Sequence, residues 1–332
     1  MNRIPLFIIP FLITTLVYSA TQKNLPEIYG RYLKGLNYFE EGKFKESLEE
    51  FKKVKKLDPD SSFIRLKIAF VLIKLGELEE AEKELKVAKK IDPDNFEASL
   101  GLIFLYSYSN REEELEAEYG EFLEKAHKLR PEDIKISEYL AQFYFYKNRL
   151  DDAIRIYEAI VEAHPDYVNA HYLLGYFYEE RGQRKKAIEV WKKILEINPS
   201  HADTLNSLGY IYADEGIYLD EAEKLIMKAL EQDPNNGAYL DSLGWVYFKR
   251  KDYNKAEEYL KRAVEYINDP VIYEHLGDLY IELNNSQQAV NYYKEALELE
   301  PESVRLKEKL QKYGEENKTS QEKSQSDTKA NN

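Results

Sequence analysis

The side chains with the widest range of catalytic and metal-binding chemistry in this sequence are its histidines. They stand at His127, His164, His171, His201 and His275. None belongs to a pattern such as H-E-x-x-H, which would place two metal ligands on one helix face. The glycines form no phosphate-cradling loop, and the absence of cysteine excludes thiolate metal sites, cysteine nucleophiles and disulfides. These residue types predict neither a catalytic centre nor a cofactor.

Carboxylates are the second group that could do acid–base chemistry. The chain carries 61 Asp and Glu against 47 Lys and Arg, a net charge of −14. Neighbouring pairs such as Glu179 and Glu180 recur, but on amphipathic helices such pairs usually form a solvated face. The negative charge also argues against nucleic acid or an anionic membrane surface as the main partner. We expect a binding protein, not an enzyme.

A repeat along the chain indicates which elements position these residues. Prolines that could end a helix stand at Pro59, Pro93, Pro131, Pro165, Pro199, Pro234 and Pro301, with spacings of 34, 38, 34, 34, 35 and 67 residues. Proline ends a helix because it lacks the amide donor and its ring clashes with the preceding turn. A period near 34 is typical of an array of helix–turn–helix units.

The residues inside each period resemble the tetratricopeptide repeat (TPR) family. In residues 239–263 the matching positions are Leu243, Gly244, Tyr247, Ala256, Leu260 and Ala263. Three further copies agree at Leu174, Gly175, Tyr178, Ala187, Trp191, Ile194 and Pro199, at Leu208, Gly209, Tyr212, Ala222, Ala229 and Pro234, and at Leu276, Gly277, Tyr280, Ala289, Tyr293, Ala296 and Pro301. The resemblance implies an all-α, right-handed solenoid of eight repeats over residues 28–301.

The turn between the two helices of each repeat supplies an independent check. The fifteenth positions of the repeats are Gly42, Gly76, Asn110, Asn148, Gly182, Gly216, Lys251 and Asn284. Glycine and asparagine suit the left-handed conformation that such a turn needs, and only Lys251 departs. The glycines or alanines at the eighth position are expected to let the helices approach closely, and the tyrosines at the eleventh to fill the gap between neighbouring hairpins.

Four segments depart from the regular repeat. Residues 302–313 place Val304, Leu306 and Leu310 on one side of a short charged helix, which predicts a capping helix. The third repeat has four extra residues, rich in glutamate between Glu112 and Glu118, which predict a longer second helix or, alternatively, an acidic docking knob. One extra residue in GIYLDEA predicts a widened turn. Residues 314–332 have no apolar periodicity and are expected to be a disordered polar tail.

The resemblance also implies a partner-binding groove lined by the first helices of the repeats. Its predicted residues in the C-terminal half are Tyr172, Tyr176, Asp203, Asn206, Tyr210, Asp214, Asp241, Trp245, Phe248, Glu274 and Asp278. The N-terminal half contributes Tyr32, Phe39, Phe63, Phe70, Phe104, Tyr108, Phe145 and Tyr146. Carboxylates beside aromatic faces favour cations, so we expect a basic protein segment with apolar anchors. Trp245 is expected either to line the groove or to pack against the next repeat.

The N-terminus predicts where the protein works. Residues 1–19 carry Arg3 and then an uncharged apolar stretch from Ile4 to Tyr18, with small residues before Ala20, as in a secretory signal peptide. Pro5 and Pro10 disfavour a straight spanning helix, although an uncleaved membrane anchor is the alternative. A short lead at 20–27 would precede the repeats. The expected function is a non-catalytic scaffold of the cell envelope, in assembly of a pilus, secretion or polysaccharide-export complex. A carbohydrate receptor is the alternative.

The clamp that some members of this family use to hold a C-terminal carboxylate is not visible in the sequence. Tyr32 and Leu36 occupy positions where that clamp has a basic residue and an asparagine. A receptor for chaperone tails is therefore disfavoured.

Overall fold

The computed structural model of the chain describes residues 24–314. The predicted signal peptide lies outside the described residues, and so does the polar tail from residue 315 onward.

The described residues form helices joined by short turns. These are α1 (Leu25–Glu40), α2 (Phe44–Leu57), α3 (Ser62–Leu75), α4 (Leu78–Ile91), α5 (Phe96–Tyr108), α6 (Glu112–Leu129), α7 (Ile134–Tyr146), α8 (Leu150–Ala163), α9 (Val168–Glu180), α10 (Arg184–Ile197), α11 (Ala202–Asp214), α12 (Leu219–Leu230), α13 (Gly237–Lys249), α14 (Tyr253–Tyr266), α15 (Pro270–Glu282), α16 (Ser286–Leu299) and α17 (residues 304–314). Between residues 24 and 314 there is no strand, and the all-α class is confirmed. Helices α1–α16 follow the order of the two helices in each of eight repeats.

The chain divides into two compact units, one ending at Lys147 and the other beginning at Asn148. The first unit holds α1–α7 and has a core built from α1 to α5, in which Ile28, Ile64 and Leu85 are fully buried. The second unit holds α8–α17 and has its largest core from α11 to α17, around Ile226 and Tyr293.

Small residues permit the close approach of the helices within a pair. Gly244 of α13 faces α14 so closely that an added Cβ would lie 2.7 Å from Cγ of Leu260. Ala256 on the facing helix is fully buried. The eighth-position glycine is therefore a packing residue, as predicted.

Every fifteenth-position residue has a positive φ, as the turn chemistry predicts. The glycines have φ between 68° and 79°, the three asparagines between 52° and 57°, and Lys251 has φ 64°. Lys251 adopts the left-handed conformation despite its Cβ, which costs roughly 1 kcal/mol relative to a residue that suits it. The repeat geometry overrides the local preference at this position.

The eleventh-position tyrosines do more than fill space. Five of them donate their hydroxyl hydrogen to a glutamate of the preceding second helix, at oxygen–oxygen distances between 2.5 and 3.1 Å: Tyr106 to Glu82, Tyr144 to Glu124, Tyr178 to Glu158, Tyr247 to Glu223 and Tyr280 to Glu257. Each bond joins neighbouring repeats. Burial comes first among the causes that raise the pKa values of Tyr106, Tyr178, Tyr247 and Tyr280. Where a shift of the glutamate pKa is resolved, at Glu82, Glu223 and Glu257, it is downward.

The two segments with extra residues have clear outcomes. Helix α6 is 18 residues long where most second helices have 14, which confirms the longer helix. Its acidic residues are partly used inside the chain, since Glu114 pairs with Arg111 and Glu118 with Lys89. Tyr218 takes a left-handed φ of 47° in the widened turn before α12.

Helix α17 covers the end of the second unit, but not with all three predicted residues. Leu306 is fully buried and Leu310 packs against the core, whereas Val304 is 67% exposed. The placement of Val304 on the buried side is therefore wrong. Val304 stands at the first residue of the helix, and its side chain lies in solvent.

Candidate partner-binding surfaces

The residues predicted to line a groove in the second unit lie on the first helices α9, α11, α13 and α15. Five of them are acidic, and we refer to these as the carboxylate set: Asp203, Asp214, Asp241, Glu274 and Asp278. Whether they can meet a cationic partner depends on their exposure and on the charges already beside them.

Trp245 is a packing residue. Its side chain is 6% exposed and stacks between Phe248 and His275, with ring centroids 4.5 and 3.9 Å away. The indole N–H donates to Oδ1 of Asp214 at 3.2 Å. Buried tryptophan normally satisfies its one donor in this way. Of the two expected roles of Trp245, the structure supports packing against the neighbouring repeat.

His275 of this stack forms a buried pair with Asp241. Nδ1 of His275 lies 2.8 Å from Oδ1 of Asp241, and both side chains are nearly inaccessible. The Tyr210 ring is 6.3 Å from the imidazole, and burial raises the pKa of the Tyr210 phenol. Asp241 is therefore satisfied inside the chain.

Glu274 and Asp278 are held by the capping helix. Glu274 is 4% exposed, and its two carboxylate oxygens lie 2.6 Å from Arg305 and 2.7 Å from Lys309. Asp278 binds Lys309 at 2.5 Å and accepts a hydrogen bond from the Tyr293 hydroxyl at 2.7 Å. Helix α17 thus supplies the cations that a partner was expected to bring.

The last two members of the carboxylate set are also engaged. Asp214 pairs with Arg184 at 2.7 Å, and Lys249 lies 3.8 Å away. Burial opposes ionisation of Asp214, but these charges and the Trp245 donor outweigh it and hold the Asp214 pKa below its usual value. Asp203 is exposed and accepts a hydrogen bond from the Tyr239 hydroxyl at 2.5 Å.

The remaining predicted residues are three aromatic side chains and Asn206. Tyr172 stacks with Trp191, and Tyr176 remains 36% exposed, with a pKa raised to about 12 by partial burial and then by the Glu180 charge. Phe248 is half-buried. The side-chain oxygen of Asn206 is buried without a hydrogen-bond partner among the described residues.

The expectation that this carboxylate set is open to a basic partner needs correction. Four of its five members carry an ion pair within the chain, counting the Asp241–His275 contact, and the fifth accepts a tyrosine hydrogen bond. The sequence places the residues on the predicted helix faces, but it does not show that basic residues elsewhere in the chain reach them first.

The first unit presents a different surface, which we call the aromatic face. It consists of large apolar side chains on the first helices α3, α5 and α7 that remain exposed: Phe70, Leu100, Phe104, Tyr108, Phe145 and Tyr146. Phe104 is 56% exposed and Tyr108 69%, and their rings stack at 6.2 Å. Tyr146 is 77% exposed. Scattered exposed apolar residues are normal, but a contiguous patch usually marks an interaction site.

Leu100 belongs to this face but not to the groove predicted from the sequence, which emphasised aromatic rings. It lies at the fifth position of its repeat, four residues before Phe104, so helical spacing places the two on one face. The repeat position was the available signal.

The rest of the described chain holds shallow clefts but no metal-binding cluster. Among residues 24–314, no group of three or more His, Asp or Glu could hold a metal ion. Two shallow clefts of about 470 and 440 Å³ lie beside Tyr218, lined by residues such as Leu219, Glu221 and Lys224, without a nucleophile–base pair. Over the same residues, no helix has the length and apolar character needed to cross a bilayer.

Comparison with protein families identifies the repeats. A tetratricopeptide repeat model matches residues 38–103, and a second one matches residues 140–202. A third model, described as anaphase-promoting complex, cyclosome, subunit 3, matches residues 215–296. No curated protein matches the sequence.

Several solved structures are similar to this chain at low sequence identity. The APC/C hetero-tetramer Cut9–Hcn1 is 18% identical over 81% of this chain and 52% of that chain, with a TM-score of 0.52. A thermophilic TPR protein of Thermus thermophilus is 22% identical over 54% of this chain and 98% of its own, with a TM-score of 0.49. A tetratricopeptide repeat protein of Parabacteroides merdae is 16% identical over 86% and 98%, also at 0.49.

Repeats of this type suggest a scaffold for protein–protein interaction, and the fold is typically non-catalytic. The helix pairs, the left-handed turns and the family matches all indicate the same repeat. The chain belongs to the tetratricopeptide repeat family.

Proposed function

We propose that this protein is a non-catalytic scaffold that holds a segment of a partner protein against the first-helix surface of its repeats. The observation that carries the proposal is the aromatic face, where Phe104 and Tyr108 lie stacked and more than half exposed. Burying such rings against a partner removes apolar area from water at roughly 25 cal/mol per Å². Aromatic residues are also common among the few positions that dominate binding energy.

The partner contributes apolar anchors. A basic character, as expected from the sequence, has no support from the carboxylate set, because those acids are engaged within the chain. The same pairing weakens the carbohydrate-receptor alternative, which relied on tyrosines beside free carboxylates.

The scaffold acts in the cell envelope, in the assembly of a larger complex such as a pilus, secretion or polysaccharide-export system. Support for this location comes from the N-terminal sequence alone, with Arg3 followed by the apolar stretch to Tyr18. Mass spectrometry of the native protein tests it. Loss of residues 1–19 supports export, a membrane fraction that keeps them supports the anchor, and an intact Met1 in a soluble cytoplasmic fraction contradicts both.

The binding proposal is tested by capture from envelope extracts with the full chain as bait. The variant Phe104→Ala/Tyr108→Ala is expected to lose the partner that the wild type retains, and to keep the wild-type melting temperature because both rings are exposed. Tyr266→Ala removes an exposed ring from the second helix α14 and serves as the matched control.

Equal capture by wild type and by the Phe104→Ala/Tyr108→Ala variant would contradict the proposed surface. A glycan array with the same proteins separates the alternative. Specific glycan binding that depends on Phe104 and Tyr108 would favour a carbohydrate receptor instead.

A further inference from the structure

Three lysines on the first helices of the first unit lie without a counter-ion among the described residues. Lys67 and Lys74 are on α3, and Lys135 is on α7. In residues 24–314, none of the three has a carboxylate within 4 Å. Other lysines of the unit are paired, since Lys55 and Lys89 of the second helices bind Glu84 and Glu118 at 2.6 and 2.8 Å. The first-helix surface of this unit therefore carries three cations that no described carboxylate pairs with.

Lys67 is the clearest case of a cation without a counter-ion. It is half-buried, and its Nζ lies 4.9 Å from the ring centroid of Phe63. Burial lowers the Lys67 pKa, and the Glu97 charge opposes this only from beyond ion-pair distance. A desolvated cation on an aromatic ring lacks the anion that would normally offset its lost hydration. A carboxylate from outside the chain could supply that anion.

Helical spacing places the lysines in the same stripes as residues of the aromatic face. Lys67, Phe70 and Lys74 follow one another at intervals of three and four residues, so they form one stripe along α3. Phe104 and Tyr108 form the equivalent stripe on α5. Lys135 begins the stripe on α7 that ends at Tyr146.

Two carboxylates share these helices and must be weighed against the lysines. Glu97 stands in the first turn of α5, where the helix dipole stabilises it. Glu138 on α7 already has an interaction within the chain. Neither removes the charge of Lys74 or Lys135. On a chain of net charge −14, this surface combines unpaired lysines with exposed rings.

We propose that the aromatic face binds an acidic segment of a partner protein, whose apolar side chains pack on Phe104 and Tyr108 while its Asp or Glu residues pair with Lys67, Lys74 and Lys135. The inference rests on the proposed function and names the chemistry of the partner. The net negative charge of the chain opposes the docking of such a segment elsewhere, so the unpaired lysines favour this face.

The experiment selects ligands by their sequence and needs no identified partner. The purified full chain is panned against a phage library of random peptides of about sixteen residues, which span roughly 24 Å as a helix. The enriched peptides are expected to combine Asp or Glu with Phe, Trp or Leu. Representative peptides are then synthesised and titrated by fluorescence anisotropy at low and high salt.

Charge-reversal variants test the role of the lysines. Lys74→Glu/Lys135→Glu is expected to weaken the binding of the acidic peptides roughly tenfold at low salt, since exposed charge pairs contribute modestly. At high salt the difference should shrink, because screening removes these interactions. Lys52→Glu/Lys90→Glu makes the same charge change at exposed lysines of the second helices α2 and α4, and is expected to bind like the wild type.

Truncation of the rings distinguishes a failure of the acidic-partner inference from a failure of the proposed function. Phe104→Ala/Tyr108→Ala is expected to weaken every selected peptide at least tenfold, whereas Leu129→Ala, which removes an exposed apolar side chain of α6, leaves binding unchanged. Selection of neutral or basic peptides that still need Phe104 and Tyr108 would overturn the acidic partner and leave the proposed function standing. Peptides that need neither ring, or a selection without enrichment, would overturn both.

Discussion

At the scale of single residues, the fold depends on places where no side chain can be added. An ideal Cβ on Gly244 would lie 2.7 Å from Cγ of Leu260 and 3.2 Å from the Leu260 backbone nitrogen. The flexible side chain could give way, but the backbone atom could do so only if the two helices moved apart. The eighth position of a repeat therefore sets the spacing between its helices.

Gly244→Ala is expected to destabilise the protein by about 1–3 kcal/mol, because overpacking forces the helices apart. Gly30→Ala is the matched control, since Gly30 lies in α1 with nothing within 4 Å of the added Cβ. There alanine should be neutral or stabilise by up to about 1 kcal/mol through helix propensity. Thermal unfolding of both variants measures the difference. Equal shifts in melting temperature would contradict the assignment of Gly244 as the contact residue.

The residue scale also shows what the sequence could and could not predict. The positive φ at Lys251 was predictable because its position in the repeat is fixed by seven equivalents with Gly or Asn. The engagement of Glu274 was not, because it needs Arg305 and Lys309 from a helix some thirty residues further along the chain. Periodicity predicts which way a side chain faces within its helix. It does not predict which distant charge arrives at the same place.

At the scale of the elements, hydrogen bonds between second helices and tyrosines link successive repeats. Glu82 of α4 accepts hydrogen bonds from the Tyr106 hydroxyl at 3.1 Å and from Arg111 at 2.6 Å, and it pairs with Lys86. Burial alone would raise the Glu82 pKa, but these donors outweigh it and lower the pKa to about 2. The ionised form of Glu82 therefore stabilises the folded state more than the protonated form does.

This network predicts a pH-dependent stability of the first unit. Because the folded pKa of Glu82 lies below its ordinary value of 4.5, its contribution is full above that value and is lost as the pH falls toward 2. Glu82→Gln is expected to lower the melting temperature at pH 6, and the difference from wild type should narrow at pH 3. Glu49→Gln, at an exposed glutamate in the middle of α2, is the control. A difference for Glu82→Gln that is constant with pH would contradict the argument.

Element lengths followed from counting residues, whereas their contacts did not. Four extra residues in the third repeat became one extra turn of α6, and one extra residue became the left-handed Tyr218. The five tyrosine–glutamate bonds escaped prediction, since the glutamates stand at solvent-like positions of amphipathic helices. Only the packing of one pair on the next brings the two groups together.

At the scale of the whole molecule, charge is distributed unevenly between the surfaces of the two units. The acids on the first helices of the second unit are engaged by Arg184, Lys309 and their neighbours. The first unit instead leaves cations such as Lys74 unpaired beside exposed rings. The net charge of −14 describes neither surface. A binding site depends on which charges remain unpaired after folding, and this is why the basic partner expected from the groove residues differs from the acidic partner that we propose.

A repeat array must also end, and helix α17 provides the end of the second unit. Leu306 is fully buried, the Tyr313 ring stacks with Tyr293 at 6.1 Å, and Arg305 and Lys309 neutralise Glu274. In a stack of repeats each repeat is stabilised by its neighbours, so the last repeat depends on the helix that covers it. Loss of the Leu306 side chain alone is expected to lower the free energy of unfolding by about 2–5 kcal/mol. Loss of the helix would also leave the buried Glu274 without either of its cations.

Truncation before Val304 is therefore expected to lower the melting temperature strongly and to cause self-association, because the apolar side of α15 and α16 would be uncovered. Truncation after Gly314 removes only the polar segment and should change neither property. Thermal unfolding and light scattering of the two shortened chains measure both effects. If both truncations behave like the full chain, α17 is an appendage, and the last repeat is stable without a cover. If only the first one unfolds early and associates, the contacts of Leu306 and the cations on Glu274 are what closes the array.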